Sequence, residues 1–197
     1  MNQDLEIPGN YIIVDDYFPP WLIDKISYYF KTFPVTYTNT PQKHSFDRSR
    51  FMGNMIMIDN DWMVPGVDRS WFLDYLNNSL MHDILGKYNI RNCARCLVNG
   101  QFALERMNGI NHTDSDDVNY VSVIYMAHGK SGDTVICDDN DNDVKKISFK
   151  EGRMVAFNSL TRHRGEAPTS GYRVSLGLVY PLFTPVVMNE NNQITPR

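Results

Sequence analysis

"RMVAFNSLTRHRGEAPTSGYRVSLGLVY", residues 153–180, contains two segments that alternate as strands do, "RMVAFN" and "YRVSLGLVY", separated by a polar stretch. Runs of this composition bounded by turn formers read as β-strands. Toward the N-terminus the same texture recurs in "VNYVSVIYMA", "DTVIC" and "KKISF", divided by turns such as "HGKSGD" and "DDNDND". Many short strands at this spacing point to a sandwich or barrel-like β fold.

Before residue 92 the pattern differs. "NYIIVDDYFPPWLIDKISYYFKTFP", residues 10–34, reads as a short strand followed by a helix. Pro19 and Pro20 suit a first helical turn, where a missing N–H costs little. Leu22, Ile23, Ile26, Phe30 and Phe33 recur at helical spacing until Pro34 ends the run. A second helix is expected over 69–85, with Asp68 or Ser70 as its cap and Gly86 past its end. Trp71, Phe72, Tyr75, Leu76, Leu80 and Ile84 would form its apolar stripe. Residues 35–67 are mixed and suggest short strands. The simplest architecture is one domain over 1–197: an N-terminal strand and helices (1–90), a β core (91–185) and a C-terminal tail (186–197).

The 197 residues are 42% hydrophobic and 21% charged, ordinary for a globular chain large enough to bury a core. A formal charge of −4 gives no general attraction to nucleic acid, so duplex nucleic acid is not expected as a partner. No apolar run has the length to cross a bilayer, no secretory signal opens the chain, and three cysteines do not suggest a disulfide framework. A cytoplasmic location is the default expectation. Neither substrate nor oligomeric state is legible.

"GINHTDSDD", residues 109–117, places His112 and Asp114 two apart. At the end of a strand, residues i and i+2 share a face and could aim into one cavity. His163 offers a third donor, 163 − 112 = 51 residues further on. Two histidines and one carboxylate leave three positions of an octahedral ion open, which suits ferrous iron binding a co-substrate and O2 together. A 2-oxoglutarate co-substrate would need a cation for its distal carboxylate. Arg173 stands in the strand "YRVSLGL", sharing a face with Ser175 and Gly177. Its planar fork matches a carboxylate, and Ser175 can donate a second hydrogen bond to the same group.

The ordered set of His112, Asp114, His163 and Arg173 resembles the 2-oxoglutarate/Fe(II)-dependent dioxygenases, and the prolyl-4-hydroxylase-like branch fits best. "NYIIVDDYFPPWLIDKI", "LVNGQFALERMNGINHTDSDD", "VSVIYMAHGKSGDTVIC" and the stretch from Gly152 to Tyr180 are similar to that branch in the right order, over nearly the whole chain. The resemblance implies a double-stranded β-helix, a jelly-roll or cupin-like core that is mostly β with N-terminal helices packed on it. It implies that His112, Asp114 and His163 hold Fe(II), that Arg173 holds 2-oxoglutarate, and that ascorbate serves as a reductant. It also puts Gln101 beside 2-oxoglutarate, where many members have a tyrosine or other polar group. Met126 stands where prolyl hydroxylases often have a second tyrosine, and Asp133 where glutamate is common. Asp114 fills the position that is small in the iron halogenases, so hydroxylation is the expected chemistry.

The implied activity is hydroxylation of a protein or peptide side chain, giving succinate and CO2. An oxygenase acting on a small molecule or nucleobase, and a binding module without catalysis, are the alternatives. Cys93 and Cys96 in "CARC" lack the second pair that a structural zinc would want. "DDNDND" (138–143) has Val144 and Lys150 where a calcium loop needs Gly and Glu, so it reads as an exposed turn. Arg48 and Arg50 read as solvated charges, although such segments often border the substrate entrance in related enzymes. His44, His82 and His128 show no partner pattern, and Tyr125 is expected behind the sheet rather than in the pocket.

Overall fold

Pro19 and Pro20 open the helix that the spacing of Leu22, Ile26 and Phe30 requires. In the computed structural model, which describes residues 11–33, 36–37, 51–58, 61–62, 75, 93–103, 109–117, 119–181, 187–188 and 194–195, helix α1 spans Pro20–Thr32. The Pro19 carbonyl accepts the amides of Leu22 and Ile23, and Phe33 leaves the helix in an extended conformation, as a residue before proline prefers. Leu22, Ile26 and Phe30 are buried, while Trp21 and Tyr28 face outward. No helix among the described residues is long and apolar enough to cross a membrane.

The strands are β1 (Tyr11–Val14), β2 (Thr36–Tyr37), β3 (Phe51–Ile58), β4 (Asp61–Trp62), β5 (Arg95–Phe102), β6 (Tyr120–His128), β7 (Thr134–Cys137), β8 (Asp143–Ile147), β9 (Met154–Asn158), β10 (His163–Gly165), β11 (Tyr172–Pro181), β12 (Val187–Met188) and β13 (Ile194–Thr195). The large sheet runs β1-β9-β6-β11-β5-β3-β2, with β4 paired to β3, and a small sheet runs β10-β7-β8. β3 and its neighbours account for part of the mixed segment 35–67. Within the segment expected to be a tail, β12 pairs with β13. The expected helix over 69–85 lies outside the described residues, except for Tyr75, which is helical and stacks near Phe18.

Alternation along the large sheet builds two apolar layers. Val98, Val123, Tyr125, Val174, Leu176, Leu178 and Tyr180 pack with the buried face of α1. Met126, Val155 and Phe157 pack from the other face with Ile136 and Ile147 of the small sheet. Each large side chain buried this way contributes roughly 1.5–3 kcal/mol. Tyr125 therefore lies on the helix side, whereas Met126 faces the interior between the sheets.

Polar ties fasten the N-terminal elements to this core. His128 Nδ1 lies 2.9 Å from Ser27 Oγ on α1 and 2.9 Å from Glu151 Oε1, partners that the sequence does not disclose. Arg153 donates to both carboxylate oxygens of Asp15, at 2.6 and 2.7 Å, just past β1. The bond from Arg153 holds the Asp15 carboxyl below its ordinary 3.8, against the effect of burial. A carboxyl whose folded pKa is the lower stabilises fully above the unfolded value and loses that contribution as pH falls through the folded one. Asp15→Asn is therefore expected to cost about 1 kcal/mol at neutral pH, the pair being partly exposed. Thermal melts should show the difference from wild type vanishing once the pH is well below 3.8.

Candidate functional site

β10 is short, yet it places one side chain at the centre of the interior. His163 is buried against Phe157, with ring centroids 4.7 Å apart, although the flanking Arg162 and Arg164 reach outward to Asp141 and Asp143. A lone antiparallel bridge joins His163 to His112: each amide donates to the other's carbonyl, at 2.9 and 3.0 Å. The two imidazole centroids are consequently 4.4 Å apart.

Asp114 completes the cluster by a different route from the one strand parity suggests. His112 makes only a single bridge, and Asp114 lies in a bend rather than a strand. Its amide and that of Ser115 donate to the Ser159 carbonyl, which turns the loop back over the end of β9. Asp114 Oδ2 then lies 3.7 Å from His163 Nε2, and Oδ1 lies 4.0 Å from His112 Nε2. One donor atom from each of the three residues falls within 4.8 Å of the others.

The hydrogen-bond partners of the two imidazoles suit metal binding. His112 Nδ1 is 2.9 Å from the Ile110 carbonyl, and His163 Nδ1 is 3.0 Å from that of Thr161. A carbonyl only accepts, so each Nδ1 carries a hydrogen and each Nε2 is the nitrogen left to face the centre. Burial pushes the His163 imidazole down to about 4, with His112 adding to the effect and Asp114 opposing it. Burial works against the charge on Asp114 as well, but His163, a hydrogen bond from Ser122, Arg95 and His112 outweigh it and keep the carboxyl below its usual range. His112, Asp114 and His163 thus converge as a cluster that could hold a metal ion. Arg95 Nη2 donates to Asp114 Oδ1 at 2.7 Å, and Ser122 Oγ lies 2.8 Å from Ser159 Oγ. Neither Arg95 nor the serine pair stood out in the sequence. Parity could have found Arg95, which is an even six residues before Gln101 on the same strand.

Arg173 sits deeper in the interior, on β11. Val174, Leu176 and Leu178 turn to the helix side, so Arg173 and Ser175 take the opposite face. Arg173 as a whole is 4% exposed, a depth at which a cation requires partners. Its Nε donates to Gln101 Oε1 at 2.6 Å and its Nη1 to the Gly132 carbonyl at 2.8 Å. Gln101 in turn donates to the Gly165 carbonyl at 3.4 Å. Burial lowers the Arg173 pKa to about 10, against the pull of Asp133 and Glu166, so the group stays charged at neutral pH. A side chain at Gly165 would fall on the guanidinium, and one at Gly132 would meet Arg173 Cδ at 2.5 Å.

Ser175 is buried and pairs across the sheet with Asn99 and Met126. Met126 is fully buried, and its sulfur accepts the Lys150 amide at 3.3 Å. Cys93, Cys96 and Cys137 are free thiols. Residues 138–142 form a turn in which Asp138 accepts the amides of Asn140 and Asn142. His44, His82, Arg48 and Arg50 lie outside the described residues.

No protein-family model matches this sequence, and neither does any curated protein. Solved structures do match. An oxidoreductase of the 2OG-Fe(II) oxygenase family from Burkholderia pseudomallei superposes with a TM-score of 0.66 at 16% identity, over 88% of this chain and 85% of that one. A prolyl hydroxylase from Trichoplax adhaerens, in complex with a peptide fragment of the hypoxia inducible factor oxygen degradation domain, gives 0.62 at 18% identity, over 88% and 84%. HygX from Streptomyces hygroscopicus, with nickel and 2-oxoglutarate bound, gives 0.62 at 7% identity, over 93% and 89%. At these identities the likeness is one of fold. The chain has the mostly β fold of the 2-oxoglutarate/Fe(II) oxygenases, built on the double-stranded β-helix.

Proposed function

We propose that the chain, read over 1–197 as one domain, is a 2-oxoglutarate- and O2-dependent Fe(II) oxygenase that hydroxylates a protein or peptide side chain. The observation that carries the reading is the convergence of His112 Nε2, His163 Nε2 and the Asp114 carboxylate, with both histidines held in the ligand tautomer. Its donors suit ferrous iron, and the buried Arg173 supplies the cation that a 2-oxoglutarate carboxylate needs. When bound at the triad, ferrous iron supplies the oxidising chemistry: O2 and 2-oxoglutarate are consumed, succinate and CO2 are released, and one oxygen enters a substrate C–H bond.

The protein's own groups do the positioning. Arg173, fixed by Gln101 and Gly132, offers its free edge to the distal carboxylate of 2-oxoglutarate. Ser175 lies on the same face two residues on, in reach of the same group. Phe157, Val155 and Met126 line the interior with apolar surface and exclude water from the reacting centre. The peptide substrate is supported by the likeness to the prolyl hydroxylase that holds a peptide.

Incubating the purified protein with Fe(II), 2-oxoglutarate and O2 tests the reading. Succinate is expected to accumulate, faster in the presence of a proline-containing peptide that gains one oxygen in mass. Absence of iron binding together with absence of succinate would overturn it. Succinate formation stimulated only by a small molecule would retain the oxygenase and replace the peptide.

A further inference from the structure

Asp114 carries an ion pair that a metal donor does not itself need. Arg95 opens β5 and is held in the large sheet between Val179 of β11 and Ile58 of β3, so its origin is a rigid strand and not a loop. Its Nη2 meets Asp114 Oδ1 at 2.7 Å, a charge-assisted hydrogen bond at the short end of the range. Oδ2 is the oxygen closest to His163 Nε2. The Asp114 side chain is 16% exposed and that of Arg95 36%, so the carboxylate end of the bond is sheltered while water reaches the guanidinium.

We infer that Arg95 is a positioning residue for the Asp114 carboxylate: by occupying Oδ1 it leaves Oδ2 as the single oxygen offered to the ion. Chelation through both oxygens would take an additional coordination position and leave too few for a keto acid and O2. β5 thereby serves two ends of the site from one face, with Arg95 at Asp114 and Gln101 at Arg173, about 20 Å apart along the strand at ~3.3 Å per residue. This inference rests on the oxygenase reading, because it needs an ion at the triad.

Titrating the full chain with Co(II) alone, followed by its visible absorption, tests the inference without turnover. Wild type is expected to bind one Co(II). Arg95→Gln should weaken binding about 10–100-fold, the usual cost of losing a partner that orients a ligand, and should shift the absorption band. Arg95→Lys, which keeps the charge and loses the fork, should recover part of the affinity but not the wild-type band. If Arg95→Gln binds Co(II) with wild-type affinity and spectrum, Arg95 is only a tie between β5 and the 109–117 loop and the inference falls, whatever happens to the melting temperature. Should that variant not fold, an Arg95→Lys protein indistinguishable from wild type overturns it instead. Failure of wild type to bind Co(II) would overturn the oxygenase reading as well, so the two failures are distinguishable.

Discussion

Replacing Asp114 with alanine is expected to end 2-oxoglutarate turnover and metal binding together while leaving the metal-free fold in place. The three side chains bring their donor atoms within 4.8 Å of one another, as polar groups crowded at functional sites often do. In the metal-free protein Asp114 is tied to Arg95 at 2.7 Å, a partly exposed pair worth about 1 kcal/mol. The metal-free melting temperature should therefore move by no more than about 3 °C, roughly 1 kcal/mol for a chain of this size. Metal-dependent stabilisation should behave differently. At a concentration one hundred times its Kd, Co(II) stabilises a protein by about 2.7 kcal/mol, roughly 5–10 °C here. Wild type should show this rise and Asp114→Ala should not. A variant that kept both the rise and succinate formation would remove Asp114 from the donor set.

Gly165→Ala is expected to raise the KM for 2-oxoglutarate about 100-fold with little change in Co(II) affinity. The new methyl would coincide with the Arg173 guanidinium. Retreat is blocked on the other side, because the Arg173 Cδ already lies against Gly132. The guanidinium must then tilt away from Gln101 and from its anion, forfeiting charge-assisted bonds of about 1.5–3 kcal/mol each. Every 1.4 kcal/mol is a factor of ten in affinity. Metal binding should survive, because His163 is held to His112 by backbone bonds that a methyl two residues away does not touch. Steady-state kinetics with varied 2-oxoglutarate, beside a Co(II) titration, separates the two effects. An unchanged KM would detach Arg173 from the co-substrate.

The parts of this fold legible in the sequence are those whose local chemistry agrees with their place. α1 has prolines at its start and a 3.6-residue apolar repeat on its buried face. β6, β9 and β11 alternate and are rich in Val, Leu and Tyr. β3 was opaque because "FMGNMIMI" mixes Gly, Asn and flexible Met and lacks a clear period of two. β12 and β13 are two residues each, too short to carry any period. Within the candidate site, His112, Asp114, His163 and Arg173 were found by their order and intervals. How Asp114 is delivered could not be found that way, since it depends on the Ser159 carbonyl, a backbone group that every residue possesses. The role of Arg95 is not legible because its partner Asp114 is brought to it by the fold and not by any spacing in the sequence.

The bridge between His112 and His163, with the Asp114–Ser159 and Gly109–Gly165 backbone bonds beside it, closes a ring of chain 163 − 112 = 51 residues long. Closing a flexible ring of that length costs about 3.5 kcal/mol of chain entropy, more than such a bridge recovers alone. An ion held at once by His112, Asp114 and His163 would clasp the two ends of this ring in the folded protein and add its binding free energy to the closure. Metal loading would then follow folding, and the loaded protein would unfold more slowly than the metal-free one.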